Sequence, residues 1–117
     1  TTERPNVAVI SAGGMSVDMH LGQATQMLIY GPREQDSLPC LLETRPVPAP
    51  GGGDTRWLDL AASLKDCFAL VALNAGERPR QVLGESGVHV LRTEGDVDGV
   101  VDTLYGGGKR KKRVRVN

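Results

Sequence analysis

Aromatic residues are scarce in this chain: one Phe, two Tyr and one Trp among 117 residues. None of them interleaves the basic run Lys109–Arg115, so base stacking has no platform there. Cysteine is limited to Cys40 and Cys67, 27 positions apart. That separation fits no zinc-finger spacing, and two cysteines in a chain this long do not make a secreted disulfide scaffold. A reduced, cytoplasmic setting is expected. No apolar stretch approaches the roughly 18–20 residues that span a bilayer. Thr1–Pro5 carries no apolar signal-peptide core. The chain begins without methionine, as a segment of a longer protein would. There is no internal repeat.

Net charge is also absent, yet the zero hides an asymmetry. All 14 acids precede Lys109, whereas eight of the 14 bases do. The body is acidic by six, and Lys109-Arg110-Lys111-Lys112-Arg113-Val114-Arg115 carries the balance. A like-charged run after Gly106-Gly107-Gly108 predicts a solvated, disordered tail over 106–117, dispensable for folding. Its second reading is an electrostatic arm for an acidic partner or nucleic acid.

What remains, residues 1–105, is long enough for one domain with one modest core. Val7–Ser11 and Met27–Tyr30 are short apolar runs bounded by turn residues, as strands are. Leu38–Arg45 predicts a third strand, hairpin-paired with the second. Pro46, Pro48, Pro50 and Gly51–Gly53 predict a surface loop, a passive crossover in the favoured reading and a flap in the other. Asp54 reads as an N-cap whose carboxylate takes the first amides of a helix over 55–66. Its apolar face would be Trp57, Leu58, Ala61 and Leu64. Phe68–Leu73 reads as a strand buried on both faces. Helix over 77–85, a short strand over 88–91 and a last helix over 96–105 complete a βββαβαβα order. The expected fold is α/β, a mixed five-stranded sheet flanked by helices.

Candidate chemistry gathers after the first strand. His20 is presented on a loop with Met15 and Met19 near it, and imidazole and thioether both ligate transition metals. Ser11-Ala12-Gly13-Gly14 is a flexible turn or a source of amides for an anion; it is neither a Walker loop nor a dinucleotide fingerprint. Asn74-Ala75-Gly76 follows the buried fourth strand. In open α/β sheets ligands sit beyond the carboxyl ends of the strands, which would bring this loop to face His20. Cys67, at a helix-to-strand junction, is either an iron–sulfur ligand or a small apolar core group. Cys40, between Leu38 and Leu42, is expected in the core by the two-residue strand period. His89 is expected to be structural. A nuclease would need carboxylates clustered on magnesium; Asp18, Asp54, Asp66 and Asp96 fall on loops and helix starts instead.

The segments Asn6-Val7-Ala8-Val9-Ile10, Val17-Asp18-Met19-His20-Leu21-Gly22-Gln23-Ala24 and Leu28-Ile29-Tyr30 resemble the opening of the NifX-type dinitrogenase iron–molybdenum cofactor-binding domain. Leu42-Glu43-Thr44-Arg45-Pro46, Pro50-Gly51-Gly52-Gly53-Asp54, Arg56-Trp57-Leu58 and Leu64-Lys65-Asp66-Cys67 resemble the C-terminal domains of the NifB group within that family. The likeness runs from Asn6 to Tyr105. Where the family usually has an aromatic in His-Phe-Gly, this chain has Leu21; the imidazole is retained. The resemblance implies a ribonuclease-H-like topology. It also implies a non-catalytic carrier of iron–molybdenum cofactor or its iron–sulfur precursor, working with nitrogenase cofactor-assembly proteins. His20, Met19, Gly13, Gly14 and Asn74 would face the cofactor, with His20 and Cys67 as metal ligands. Membrane and nucleic acid are not expected partners. No Cys-x3-Cys-x2-Cys motif is present, so the radical S-adenosylmethionine machinery of longer family members is missing. The alternatives are a same-fold carrier of a different metal cluster, and a regulatory module that docks on a synthase or carrier.

Overall fold

The computed structural model describes residues 3–106. Apart from Gly106, the expected disordered tail over 106–117 therefore lies outside the described residues. The elements in chain order are β1 (Asn6–Val9), β2 (Ser16–Val17), a 3-10 turn (Leu21–Gln23), β3 (Gln26–Pro32), β4 (Pro39–Pro46), α1 (Thr55–Ala62), β5 (Cys67–Ala72), α2 (Glu77–Glu85), β6 (His89–Arg92), β7 (Gly95–Asp96) and α3 (Val97–Leu104).

Five strands form one mixed sheet in the order β4-β3-β1-β5-β6. β1 is antiparallel to β3 and parallel to β5; β3–β4 is an antiparallel hairpin and β5–β6 a parallel pair. This is the α/β architecture read from the sequence and the ribonuclease-H-like order that the resemblance implied. β1 and β5 are central, and alternate residues go to opposite faces. Ala8, Ile10, Leu70 and Ala72 join Met27, Leu60, Leu64 and Leu83 in a core on the α1–α2 side. Val7, Val9, Ala69 and Val71 join Val97 and Val101 on the α3 side. Continuous apolar runs are thus explained by burial on both faces.

Several expectations need correction. A second, two-stranded sheet pairs β2 with β7, Ser16 against Asp96 and Val17 against Gly95. Asp54 precedes α1 but its carboxylate caps no amide. It binds the Arg78 guanidinium instead (Nε to Oδ1, 2.9 Å), an ion partner outcompeting local amides. The buried face of α1 is Arg56, Leu60 and Ala61, with Leu58 exposed. Cys40 is half-buried, not core, because β4 is the sheet edge and Leu38 and Leu42 are both exposed. Between Ile29↔Glu43 and Tyr30↔Leu41 the pairing skips Leu42, a bulge that breaks the strand period. His89 is exposed on the opposite edge strand. Among the described residues no helix is long and apolar enough to cross a membrane.

Candidate functional site

Parallel pairing sends β1 and β5 out of the same edge of the sheet. The Ile10 amide makes the last step of that pairing, donating to the Val71 carbonyl at 2.8 Å. The chain then loops away and returns at Met19–Leu21 beside the end of β5. There the Leu73 amide donates to the Met19 carbonyl (3.1 Å) and the Leu21 amide to the Asn74 carbonyl (2.9 Å). His20 and Asn74 form a parallel bridge between these bonds. The His20 and 74–76 loops therefore face one another at the carboxyl edge, and the histidine backbone is held on both sides.

The His20 ring is half-buried and does local work. Its extended backbone (φ −70°, ψ 138°) suits an N-cap, and Nδ1 accepts from the Gly22 amide at 2.9 Å, starting the 3-10 turn. A Cβ at Gly22 would sit 3.2 Å from that nitrogen, so the ring lies over the bare backbone of a glycine. The carbonyl side of the turn is gripped from α1. Arg56, 8% exposed, donates from Nε to Pro48 O (2.8 Å), from Nη1 to Gly22 O (3.1 Å) and from Nη2 to Ala24 O (3.5 Å). Its guanidinium lies 4.5 Å from the Trp57 ring centroid. Sequence reasoning missed Arg56: an arginine on an amphipathic helix reads as solvated. The nearby signal was the Pro- and Gly-rich segment, which leaves carbonyls for a buried donor to take.

The other expected site residues divide. In the Ser11–Gly14 turn the Gly14 amide donates to Ser11 Oγ (2.9 Å) and the Ala12 amide to Asp18 Oδ1 (3.0 Å). Gly13 stays exposed and Gly14 adopts φ +84°. Asn74 is exposed, and its Oδ1 accepts from the Ala75 amide (2.9 Å). Met19 packs its side chain against the α1–α2 core, whereas Met15 is 78% exposed. Cys67 is not brought to this edge. It begins β5 and Asn74 lies beyond the other end of that strand, about 20 Å away at the rise of a strand. Cys67 and His20 therefore cannot share one cluster. The Cys67 thiol is fully buried; burial, and next the Asp66 carboxylate, push it up to about 12. Among the described residues no three His, Cys, Asp or Glu side chains gather to hold a metal ion. Two surface hollows, of about 530 and 610 Å³, lie along α3 and include none of the expected site residues.

Residues 4–107 match the family described as dinitrogenase iron-molybdenum cofactor. Over 108 residues the chain is 39% identical to the FeMo cofactor biosynthesis protein NifB of Chlorobaculum tepidum, covering 92% of this chain and 26% of that protein. It thus spans about a quarter of the curated relative. Two solved structures share the fold. One is PH0822 (TM-score 0.64, 20% identity, 87% of this chain and 91% of that one). The other is a NifB-like protein of the DUF35 family from Thermotoga (TM-score 0.56, 23% identity, 89% of each chain). With a family match over nearly its whole length and the sheet order expected of that family, this chain belongs to the dinitrogenase iron–molybdenum cofactor family.

Proposed function

We propose that this domain holds or hands over an iron–sulfur precursor of iron–molybdenum cofactor, or the finished cofactor, during nitrogenase cofactor biosynthesis. It carries the cluster as cargo and performs no catalysis of its own. The observation that carries this reading is the His20 imidazole, borne on a backbone that is held on both sides at the carboxyl edge of the sheet. An imidazole suits iron. The exposed Gly13 and Asn74 share that edge and supply polar groups to an anionic cluster; Met19 anchors the loop from beneath. The name of the NifB relative supports the same pathway. Partners are cofactor-assembly proteins of the cytoplasm, where two free thiols persist.

Anaerobic reconstitution with iron and sulfide, followed by metal analysis, tests this reading. The expected protein gains visible absorbance and bound iron, and His20→Ala loses both. A second reading, a docking module that carries no cluster, draws on the lack of a three-ligand group among the described residues. That module stays colourless, and a colourless parent chain would overturn the cargo reading.

A further inference from the structure

A neutral imidazole has one N–H and one lone pair. The Gly22 amide is a donor, so the Nδ1 it approaches at 2.9 Å supplies the lone pair and the proton sits on Nε2. Histidines that ligate metals do the reverse, donating the second ring N–H to an acceptor. Ligation through Nε2 would move the proton to Nδ1, where it would meet the Gly22 N–H. Ligation through Nδ1 would displace that N–H directly. By either nitrogen, a metal opens the cap.

The closed cap is held from behind. Arg56 fixes the carbonyls of Gly22 and Ala24 and ties both to Pro48. A lysine has no planar fork with which to reach three carbonyls. We propose that the His20–Gly22 cap is a latch that withholds the ring lone pair from bare cations, with Arg56 as the positioning residue that keeps it shut. The resting site accordingly takes a ligand that accepts a hydrogen bond from Nε2, such as a sulfide-bearing or oxyanionic face. Direct coordination follows only when the cap opens. This inference rests on the cargo reading solely in taking His20 as the site.

Carbethoxylation by diethyl pyrocarbonate reads the lone pair without any cluster, because the reagent attacks an unprotonated ring nitrogen. The chain has two histidines, and exposed His89 is the internal reference. In the full chain at neutral pH, His20 is expected to react about tenfold more slowly than His89, the factor for a hydrogen bond of ordinary strength. Gly22→Ala places a methyl against Nδ1, and Arg56→Lys loosens the turn. Each is expected to speed His20 about fivefold and leave His89 unchanged. Equal rates for the two histidines in the parent, or an unmoved His20 rate in both variants, would overturn the latch; the second result would leave burial as the cause of slow reaction. Gly22 amide exchange, parent against His20→Ala, decides the question should a turn variant fail to fold. Faster exchange in the variant supports the latch, and equal exchange overturns it. A chain that shows the latch but takes up no cluster refutes the cargo reading alone.

Discussion

Replacing His20 with asparagine separates the two jobs of its imidazole. Asparagine is among the best N-caps, so it can still accept from Gly22. His20→Ala is expected to cost about 1 kcal/mol of stability and His20→Asn less than about 0.5 kcal/mol, whereas both lose cluster absorbance. Urea unfolding curves check this, and equal destabilisation by the two variants would refute the cap's contribution. The cysteines supply a second residue-scale prediction. Cys67 is buried, which pushes its thiol up to about 12, while Cys40 is half-buried on an edge strand. A thiol reagent under native conditions should label Cys40 first and Cys67 only on unfolding. Faster labelling of Cys67, followed by mass spectrometry, would contradict its placement. Sequence spacing placed Cys40 in the core, where the structure leaves it half-buried, and left Cys67 open between ligand and core. The reason is that the strand period says which residues share a face, not whether anything covers that face. The loop position of His20 was legible because a loop after an apolar run announces itself locally. Its cap partner Gly22 was not, since nothing in the spacing assigns a ring nitrogen its donor.

Among the elements, the least visible tie joins the edge hairpin to the α1–β5 turn. On β4, Arg45 donates from Nη1 to Asp66 Oδ1 (2.8 Å) and from Nη2 to Oδ2 (2.7 Å), with a further bond to the Ser63 carbonyl (2.8 Å). Asn6 Nδ2 adds a bond to Asp66 Oδ2 (2.8 Å). Arg45 first, and Asn6 after it, hold the Asp66 carboxyl well below the usual carboxylate range. A depressed folded-state value means that the unfolded chain binds the proton more readily. The stabilisation is therefore present at neutral pH and lost as pH falls below about 4. Because Asp66 is more than a third exposed, screening limits it to about 1 kcal/mol. Unfolding free energies at pH 7 and pH 3 should diverge less in Asp66→Asn than in the parent, by about that amount. Identical pH dependence would show that the pair contributes nothing. The main strands and helices were legible from periodicity and from Pro and Gly punctuation. β2 and β7 were not, because two-residue strands paired across nearly 80 positions leave no local pattern. The buried face of α1 was displaced because Arg56, apolar by no scale, is drawn inward by three backbone carbonyls.

At the scale of the whole molecule, the two ends of the domain meet near the Cys67 end of β5, opposite the edge that carries His20. Arg4 donates to the carbonyls of Leu64 (3.2 Å), Cys67 (3.0 Å) and Ser86 (2.8 Å). The Tyr105 hydroxyl donates to the Pro5 carbonyl at 2.5 Å, and its ring meets Phe68 edge-on at 5.7 Å between centroids. These contacts join the segment before β1 to the residue that caps α3, so the fold is closed by Tyr105. All the described elements and both cores lie between Asn6 and Tyr105. Truncation after Gly106 removes none of them, but it removes six positive charges and leaves a body acidic by six. The truncated chain should melt within about 2 °C of the parent, since roughly 4 °C corresponds to 1 kcal/mol in a domain of this size. Its isoelectric point should fall and its cluster uptake stay the same. Calorimetry and isoelectric focusing measure the first two. A loss well beyond about 4 °C, recovered by added salt, would instead mean that the basic segment stabilises the acidic body by charge. Tyr105→Phe in the truncated chain then isolates the terminal clasp. Removing that single hydroxyl is expected to cost about 1 kcal/mol, and an unchanged melting point would show that the ring contact alone closes the fold.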